Sequence, residues 1–261
     1  MKIHRIYAII LRHTYLLRRS LDRVVDLLYQ PLINLLLWGI TSTYIEKFAP
    51  NASLVILMII SGVIFWLIAW RGQYDLSFGL LEELWNKNLI NIFVTPIKLS
   101  EWTISLISFG VLKTLISFPF GVLIAFFIYK INIFIYGFYI LVFALLLSMT
   151  GWWMGCLINA IILRYGTKLQ ALAWSLIMLL SPFSAIYYPL AILPNWAQKV
   201  ALFIPPSYVF ESARQMLYTG KLNPEKLWIS LGLNMIYLIL TLILLKRSFK
   251  RILEKGLVKL Y

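Results

Sequence analysis

The sequence predicts an all-α membrane protein: six transmembrane helices, an N-terminal interfacial amphipathic helix, and an outer re-entrant helical hairpin between helices 5 and 6. Three observations lead there. First, hydrophobic residues make up 61% of the 261 positions and charged residues only 13%, against roughly 25% charged in a soluble domain. Second, the apolar residues are gathered into runs. Leu54 to Trp70 and Leu227 to Leu245 carry no charge at all, and each approaches the roughly 20 residues that take a helix across about 30 Å of hydrocarbon. Third, the net charge of +14 falls in the gaps between those runs, where membrane orientation accounts for it better than nucleic acid does.

The elements follow in order. Residues 1–23 read as an interfacial helix, with Ile3, Tyr7, Ile10, Leu17 and Leu21 on one face. Arg5, Arg12 and Arg19 recur every seven residues on another face. That pattern suits a helix whose apolar side lies in acyl chains and whose basic side meets anionic headgroups; a solvated basic tail is the plainer alternative. Six spans are expected at 24–45, 54–70, 103–129, 133–159, 169–188 and 227–245. The fourth apolar run continues to Leu163, so its tail is expected to project beyond the bilayer or to bend near Gly151 or Gly155. A loop with Glu46, Lys47, Pro50 and Asn51 joins the first two spans, and Asn51-Ala52-Ser53 fits the short glycosylation pattern.

Six spans put both termini on one side. With the termini cytoplasmic, Lys and Arg divide about seventeen inside to five outside, the sense that the positive-inside rule requires. The location that follows is a plasma (inner) membrane, crossed several times.

Three segments invite a functional reading. Residues 71–101 read as a cytoplasmic loop in which 82–93 forms a short amphipathic helix, ended at Thr95 because a residue before proline leaves helical geometry. Glu82, Glu83, Trp85, Asn86, Leu89 and Asn91 on it are candidates for docking a soluble partner; a helix merely resting on lipid is the alternative. Residues 189–226 are outside yet largely apolar, and Pro194, Pro205 and Pro206 break them. They read as two short helices dipping into the outer leaflet, which must be buried in protein or line a cavity. Pro205, Pro206, Tyr208, Glu211 and Arg214 are the outer candidates, with Glu211 and Arg214 spaced to pair locally or to touch substrate. Asp26, near the inner end of the first span, is a functional candidate as any intramembrane acid is, or an ion-pair partner of Arg23. With Arg5, Arg12 and Arg19 it marks the inner boundary. Asn34 and Lys113 carry the same two readings.

Catalytic constellations are missing from the sequence. His4 and His13 are the only histidines, and Cys156 the only cysteine. There is no phosphate-loop motif, zinc-protease motif or nucleophile elbow. No cofactor is expected on this chain, and it is not expected to be an enzyme.

The pattern as a whole resembles the ABC type 2 permeases, membrane subunits of a large class of ATP-binding-cassette exporters. The resemblance covers nearly the whole chain, as one transmembrane domain over 1–261. It rests on the basic N-terminal helix, the six spans, the 82–93 helix followed by Thr95-Pro96, and an ordered outer segment. That segment reads Tyr188-Pro189-Leu190, then Leu193-Pro194-Asn195-Trp196, then Pro205-Pro206-Ser207-Tyr208-Val209-Phe210-Glu211-Ser212-Ala213-Arg214. With no ATPase domain in these residues, the chain is similar to the stand-alone half-permease type.

The resemblance implies a dimer of this chain or a pair with a related permease, embedded in membrane lipids. It implies ABC ATPase subunits, holding ATP and magnesium, docked on 82–93 as coupling helix. It further implies export of an amphiphilic, lipid-linked or drug-like substrate by alternating access. The competing expectations are an ATP-independent transporter or channel, and a membrane assembly subunit with no transport role.

Overall fold

The computed structural model of the chain describes residues 1–46 and 52–255, and every regular element in them is helical. Ten α-helices follow one another: α1 Ile3–Arg19, α2 Leu21–Glu46, α3 Ala52–Trp85, α4 Leu89–Val94, α5 Leu99–Tyr129, α6 Tyr139–Tyr165, α7 Leu172–Leu180, α8 Asn195–Ala201, α9 Pro205–Thr219 and α10 Pro224–Lys255. Five of them, α2, α3, α5, α6 and α10, are long and apolar enough to cross a membrane. Lys47, Pro50 and Asn51 lie outside the described residues.

Three expectations need correction. The predicted loop after Trp70 is not a loop, because α3 runs unbroken from Ala52 to Trp85. Nothing between Arg71 and Trp85 stops a helix: the stretch contains no proline, and its polar side chains find partners on neighbouring helices. Nor is the predicted fifth span, 169–188, a long helix. It is the nine-residue α7 between 3-10 turns at Thr167–Leu169 and Ser181–Phe183. Pro182 has no amide hydrogen to continue the ladder, and Ala185 then takes a positive φ of 58°. Finally, α6 runs without a break past Gly151 and Gly155 to Tyr165. It starts at Tyr139, six residues later than predicted, after a 3-10 turn at Ile133–Tyr136, and its glycines serve packing instead.

The core of the bundle is α3 against α6, with α10 closing the far side of α6. Gly151 brings α3 and α6 together. A Cβ built on it would sit 2.5 Å from the Ala69 carbonyl oxygen and 2.8 Å from the Gln73 nitrogen. Gly155, one turn on, leaves room for Leu76 in the same way. Small residues at this spacing let helix backbones approach closely where no hydrophobic effect drives them together. Buried amides lock the arrangement. Asn234 on α10 donates to the Leu146 carbonyl (3.1 Å) and accepts from Thr150 Oγ1 (2.9 Å) and Trp153 Nε1 (3.1 Å). Asn159 donates to the Leu76 carbonyl at 3.0 Å.

A layer of charges divides the molecule into two tiers. Arg71, fully buried, pairs with Asp26 of α2 at 3.0 Å and lies 3.6 Å from Asp75. Lys113 of α5 pairs with Asp75 at 2.7 Å. On one side of this layer the stretches 27–45, 54–70 and 114–129 hold no charge. At 1.5 Å per residue they span about 24 to 29 Å, close to the thickness of hydrocarbon in a bilayer. One apolar core, with Ile60, Ile64, Phe65, Tyr136, Phe143 and Ile186, fills that tier. On the other side α3 projects about 21 Å further, from Arg71 to Trp85. There a second core forms from Ile9, Leu80, Leu84, Leu89, Trp102 and Ile252.

Candidate functional site

The projecting tier ends in a tip built by a chain reversal. Lys87 adopts a left-handed φ of 51°, with the Lys87 amide donating to the Leu84 carbonyl and the Asn88 amide to the Glu83 carbonyl at 2.9 Å. This is a Schellman turn with lysine where glycine is usual. The single helix expected at 82–93 is therefore two pieces, the last turn of α3 and the short α4. Thr95 is extended ahead of Pro96, as expected.

The reversal sorts the docking candidates. Trp85 (45% exposed), Asn86 and Asn91 face outward, joined by Lys87 and the 80% exposed Val94. Glu83 and Leu89 are buried, so their side chains are not on a docking surface in this conformation; Glu82 is half-buried. The two acids are occupied internally. Glu83 accepts both Arg12 guanidinium nitrogens, at 2.6 and 3.1 Å, and Asn88 Nδ2 at 2.6 Å. Glu82 pairs with Arg23.

The Arg12–Glu83 pair straps α1 to the projecting end of α3, and Arg23–Glu82 holds the start of α2 there. Glu101, at the start of α5, accepts from the Lys2 amide at 2.7 Å and lies 3.4 Å from Arg5. Arg5 and Arg12 thus turn toward the protein, which leaves Arg19 of the expected basic face, exposed beside Arg18. Of the expected apolar face, Ile3, Tyr7 and Leu21 are strongly exposed, whereas Ile10 and Leu17 are half-buried. His13 lies on the buried face of α1 against Phe109, where desolvation and the nearby Arg12 charge lower its pKa from 6.5 to about 4. Asp26 pairs with Arg71, not with Arg23 as the sequence suggested; only its position distant in the chain hid that partner. Asn34 makes a local bond to the Gln30 side chain at 2.9 Å.

At the opposite end, Glu211 and Arg214 form a latch. Their ion pair measures 2.5 Å. Arg214 also donates to the carbonyls of Ala185 (2.7 Å) and Tyr188 (3.1 Å), and Glu211 accepts from the Leu190 amide at 3.0 Å. The pair holds the irregular strand of chain after α7 against α9. Pro205 and Pro206 begin α9, where missing amide hydrogens cost nothing, and both are buried. Tyr208 Oη reaches back to the Leu202 carbonyl at 2.9 Å.

Between these ends, a cavity of about 300 Å³ lies beside α2 and α3. Its walls include Trp38, Trp66, Trp70 and Tyr187, with the amides of Gln30 and Asn34. Trp38 and Tyr187 stack with ring centroids 3.9 Å apart. Aromatic faces with a few polar groups are the usual make-up of a site for an organic ligand. The sequence carried these residues openly, but nothing in their spacing placed Tyr187 beside Trp38. Neither a scan against protein-family models nor a search of curated proteins finds a match to this chain.

Proposed function

We propose that this chain is the permease subunit of an ATP-driven exporter, in which a separate ATPase moves an amphiphilic, lipid-linked or drug-like substrate. One observation carries the reading. The 34-residue α3 is a single helix with Trp66 and Trp70 on the wall of the membrane-tier cavity and Trp85 at the water-exposed tip. A partner that moves the tip therefore moves the cavity wall directly. ATP and magnesium belong to that partner, and a second copy of the chain or a related permease completes the path.

The six-crossing layout belongs to the same proposal. The segment around α7 is anchored to the tip by Trp85 Nε1 on Gln170 Oε1 at 3.0 Å. Its other end is anchored by Arg214 on Ala185. Broken as it is, it runs alongside α3 and serves as the fifth crossing, which leaves α8 and α9 as the re-entrant pair and both termini cytoplasmic.

The test is co-purification with the cognate ATPase and ATP-dependent movement of substrate in vesicles. Asn91→Glu alters an exposed side chain outside the core, so the variant folds and loses the ATPase at least tenfold; Trp85→Glu also breaks the bond to Gln170 and is compared only where the variant folds. Folded variants that retain the ATPase at normal stoichiometry would overturn the docking assignment.

A further inference from the structure

In the projecting tier the ends of α6 and α10 leave a hollow of about 230 Å³ between them. Leu163 and Ile252 form its apolar lining, and both belong to the second core. The rest of the lining is polar: Arg164 and Tyr165 from α6, Ser248 and Arg251 from α10. Each of these four side chains carries a hydrogen-bond donor, and no carboxylate lies among them. Ser248 and Arg251 share one face of α10 because they are three residues apart.

The fold does not use these donors. Arg5, Arg12, Arg23, Arg71 and Arg214 each hold a carboxylate. Arg164 and Arg251 are exposed, and among the described residues neither has an ion-pair or hydrogen-bond partner. Glu254, three residues past Arg251, lies 3.9 Å from Lys250 instead. The Arg164 guanidinium sits over the Tyr165 ring, 5.5 Å from its centroid, a cation–π contact that steadies the side chain. Ser248 is half-buried, yet its hydroxyl has no partner. Thr241 on the same helix and Ser212 on α9 both donate to the carbonyl one turn back.

We infer that this hollow binds a phosphate group. Two guanidiniums match the charge of roughly −2 that a phosphate monoester carries. Its three terminal oxygens can serve four donor groups, where a carboxylate offers two oxygens. Arginine is also the side chain best shaped for bidentate contact with phosphate. Membrane orientation alone asks for cations near the ends of spans. It does not ask for two unpaired guanidiniums and two hydroxyls around one hollow.

The height of the hollow bears on the source of the phosphate. Gly151 faces Ala69 and Gln73, so it is level with Arg71 and the charge layer. Arg164 comes 13 residues later, about 20 Å further along α6. Headgroups reach only about 5 to 8 Å beyond the hydrocarbon on each side. The ligand is therefore a soluble phosphate compound rather than a lipid. By bridging Arg164 and Arg251 it ties the end of α10 to the end of α6. The site rests on its own geometry and not on the exporter reading.

The experiment is equilibrium dialysis of radiolabelled inorganic phosphate against the purified full chain in phosphatidylcholine nanodiscs, without ATPase. The expected result is saturable binding, with phosphate displacing label at least tenfold better than acetate at equal ionic strength. Arg164→Gln and Arg251→Gln each weaken it tenfold or more, and Ser248→Ala severalfold. Lys246→Gln removes an exposed cation of α10 outside the hollow and changes affinity no more than twofold. Phosphate also raises the melting temperature of the wild type, as a ligand of the folded state must, and not that of Arg251→Gln. Repeating the dialysis in phosphatidylglycerol nanodiscs separates the sources. Unchanged affinity assigns the hollow to a soluble compound, whereas a tenfold loss by competition keeps the phosphate site and overturns its soluble source. Phosphate no better than acetate, or a Lys246→Gln loss equal to that of Arg251→Gln, would overturn the inference. Because no ATPase is present, such a failure is separable from failure of the exporter reading.

Discussion

Arg12 and Glu83 meet as a fork on a carboxylate, with both guanidinium nitrogens within 3.1 Å of its oxygens across 71 positions of sequence. The carboxylate is buried and the arginine partly exposed. Glu83 therefore depends on α1 for its charge partner, and α1 depends on Glu83 for its seat. Glu83→Ala leaves Arg12 and Asn88 without their acceptor. With the solvent exposure of Arg12 discounted, the expected loss is roughly 1 to 3 kcal/mol. Arg12→Lys keeps the charge but not the fork and destabilises less. Thermal unfolding in detergent ranks the wild type, Arg12→Lys and Glu83→Ala in that order.

Gly151→Ala places a methyl carbon 2.5 Å from the Ala69 carbonyl and 2.9 Å from the Gly72 carbonyl carbon. Both are backbone atoms that cannot step aside. The α3–α6 pair must separate, and the folded yield collapses. Gly232→Ala, on α10, meets nothing within 4 Å and gains about 0.5 to 1 kcal/mol from helix propensity. Size-exclusion profiles and melting temperatures of the two variants move in opposite directions.

Asn234→Leu removes one donor and one acceptor at once. The Leu146 carbonyl, Thr150 and Trp153 lose a partner, for an expected cost of about 1 to 3 kcal/mol. A shift in Trp153 emission and a lower melting temperature together report it.

Arg214→Lys keeps the charge beside Glu211 but cannot reach the Ala185 and Tyr188 carbonyls at the same time. Amide hydrogen exchange in 185–190 should rise well above the wild-type rate, while α3 and α6 stay protected. Unchanged exchange there would remove the latch.

His13 sets a pH dependence. Its folded pKa, about 4, lies below the ordinary 6.5, so the folded chain binds fewer protons than the unfolded one. Its contribution is full above pH 6.5 and is lost as pH falls from there toward 4. The size is of the order of 3 kcal/mol. The stability difference between wild type and His13→Phe, followed by denaturant unfolding from pH 7 to 4, should slope downward across that window. A flat difference would show that His13 is not desolvated.

How much of this was legible from sequence depends on the kind of partner each residue has. The uncharged run Leu54 to Trp70 announces a span because hydrocarbon tolerates no charge. Past Trp70 the same logic misleads. Arg71, Gln73, Asp75 and Ser77 look like a loop by polarity, yet outside hydrocarbon a helix carries polar residues freely when neighbours receive them. The available signal was negative, the absence of any proline between Arg71 and Trp85. The opposite holds at 169–188, where hydropathy alone predicts a span and Pro182 breaks the helix. At the tip, the amphipathic spacing of 82–93 predicts one helix, because a lysine in left-handed geometry leaves no mark in sequence. The pairings Asp26–Arg71, Arg12–Glu83 and Trp38–Tyr187 were beyond reach for another reason: each joins residues distant in the chain, and periodicity speaks only of neighbours.

Arg71 pins α2, α3 and α5 at one height through Asp26, Asp75 and Lys113. If a partner moves α3 as proposed, the charge layer is the fulcrum and α3 the lever resting on it. The arm from Arg71 to Trp85 is about 21 Å and the arm from Arg71 back to Ala52 about 28 Å. A rigid α3 tilting on this pivot converts each ångström of sideways travel at the tip into roughly 1.3 Å of opposite travel at its far end. The gearing follows from where a single arginine sits along the helix, and moving that charge by one turn would change it.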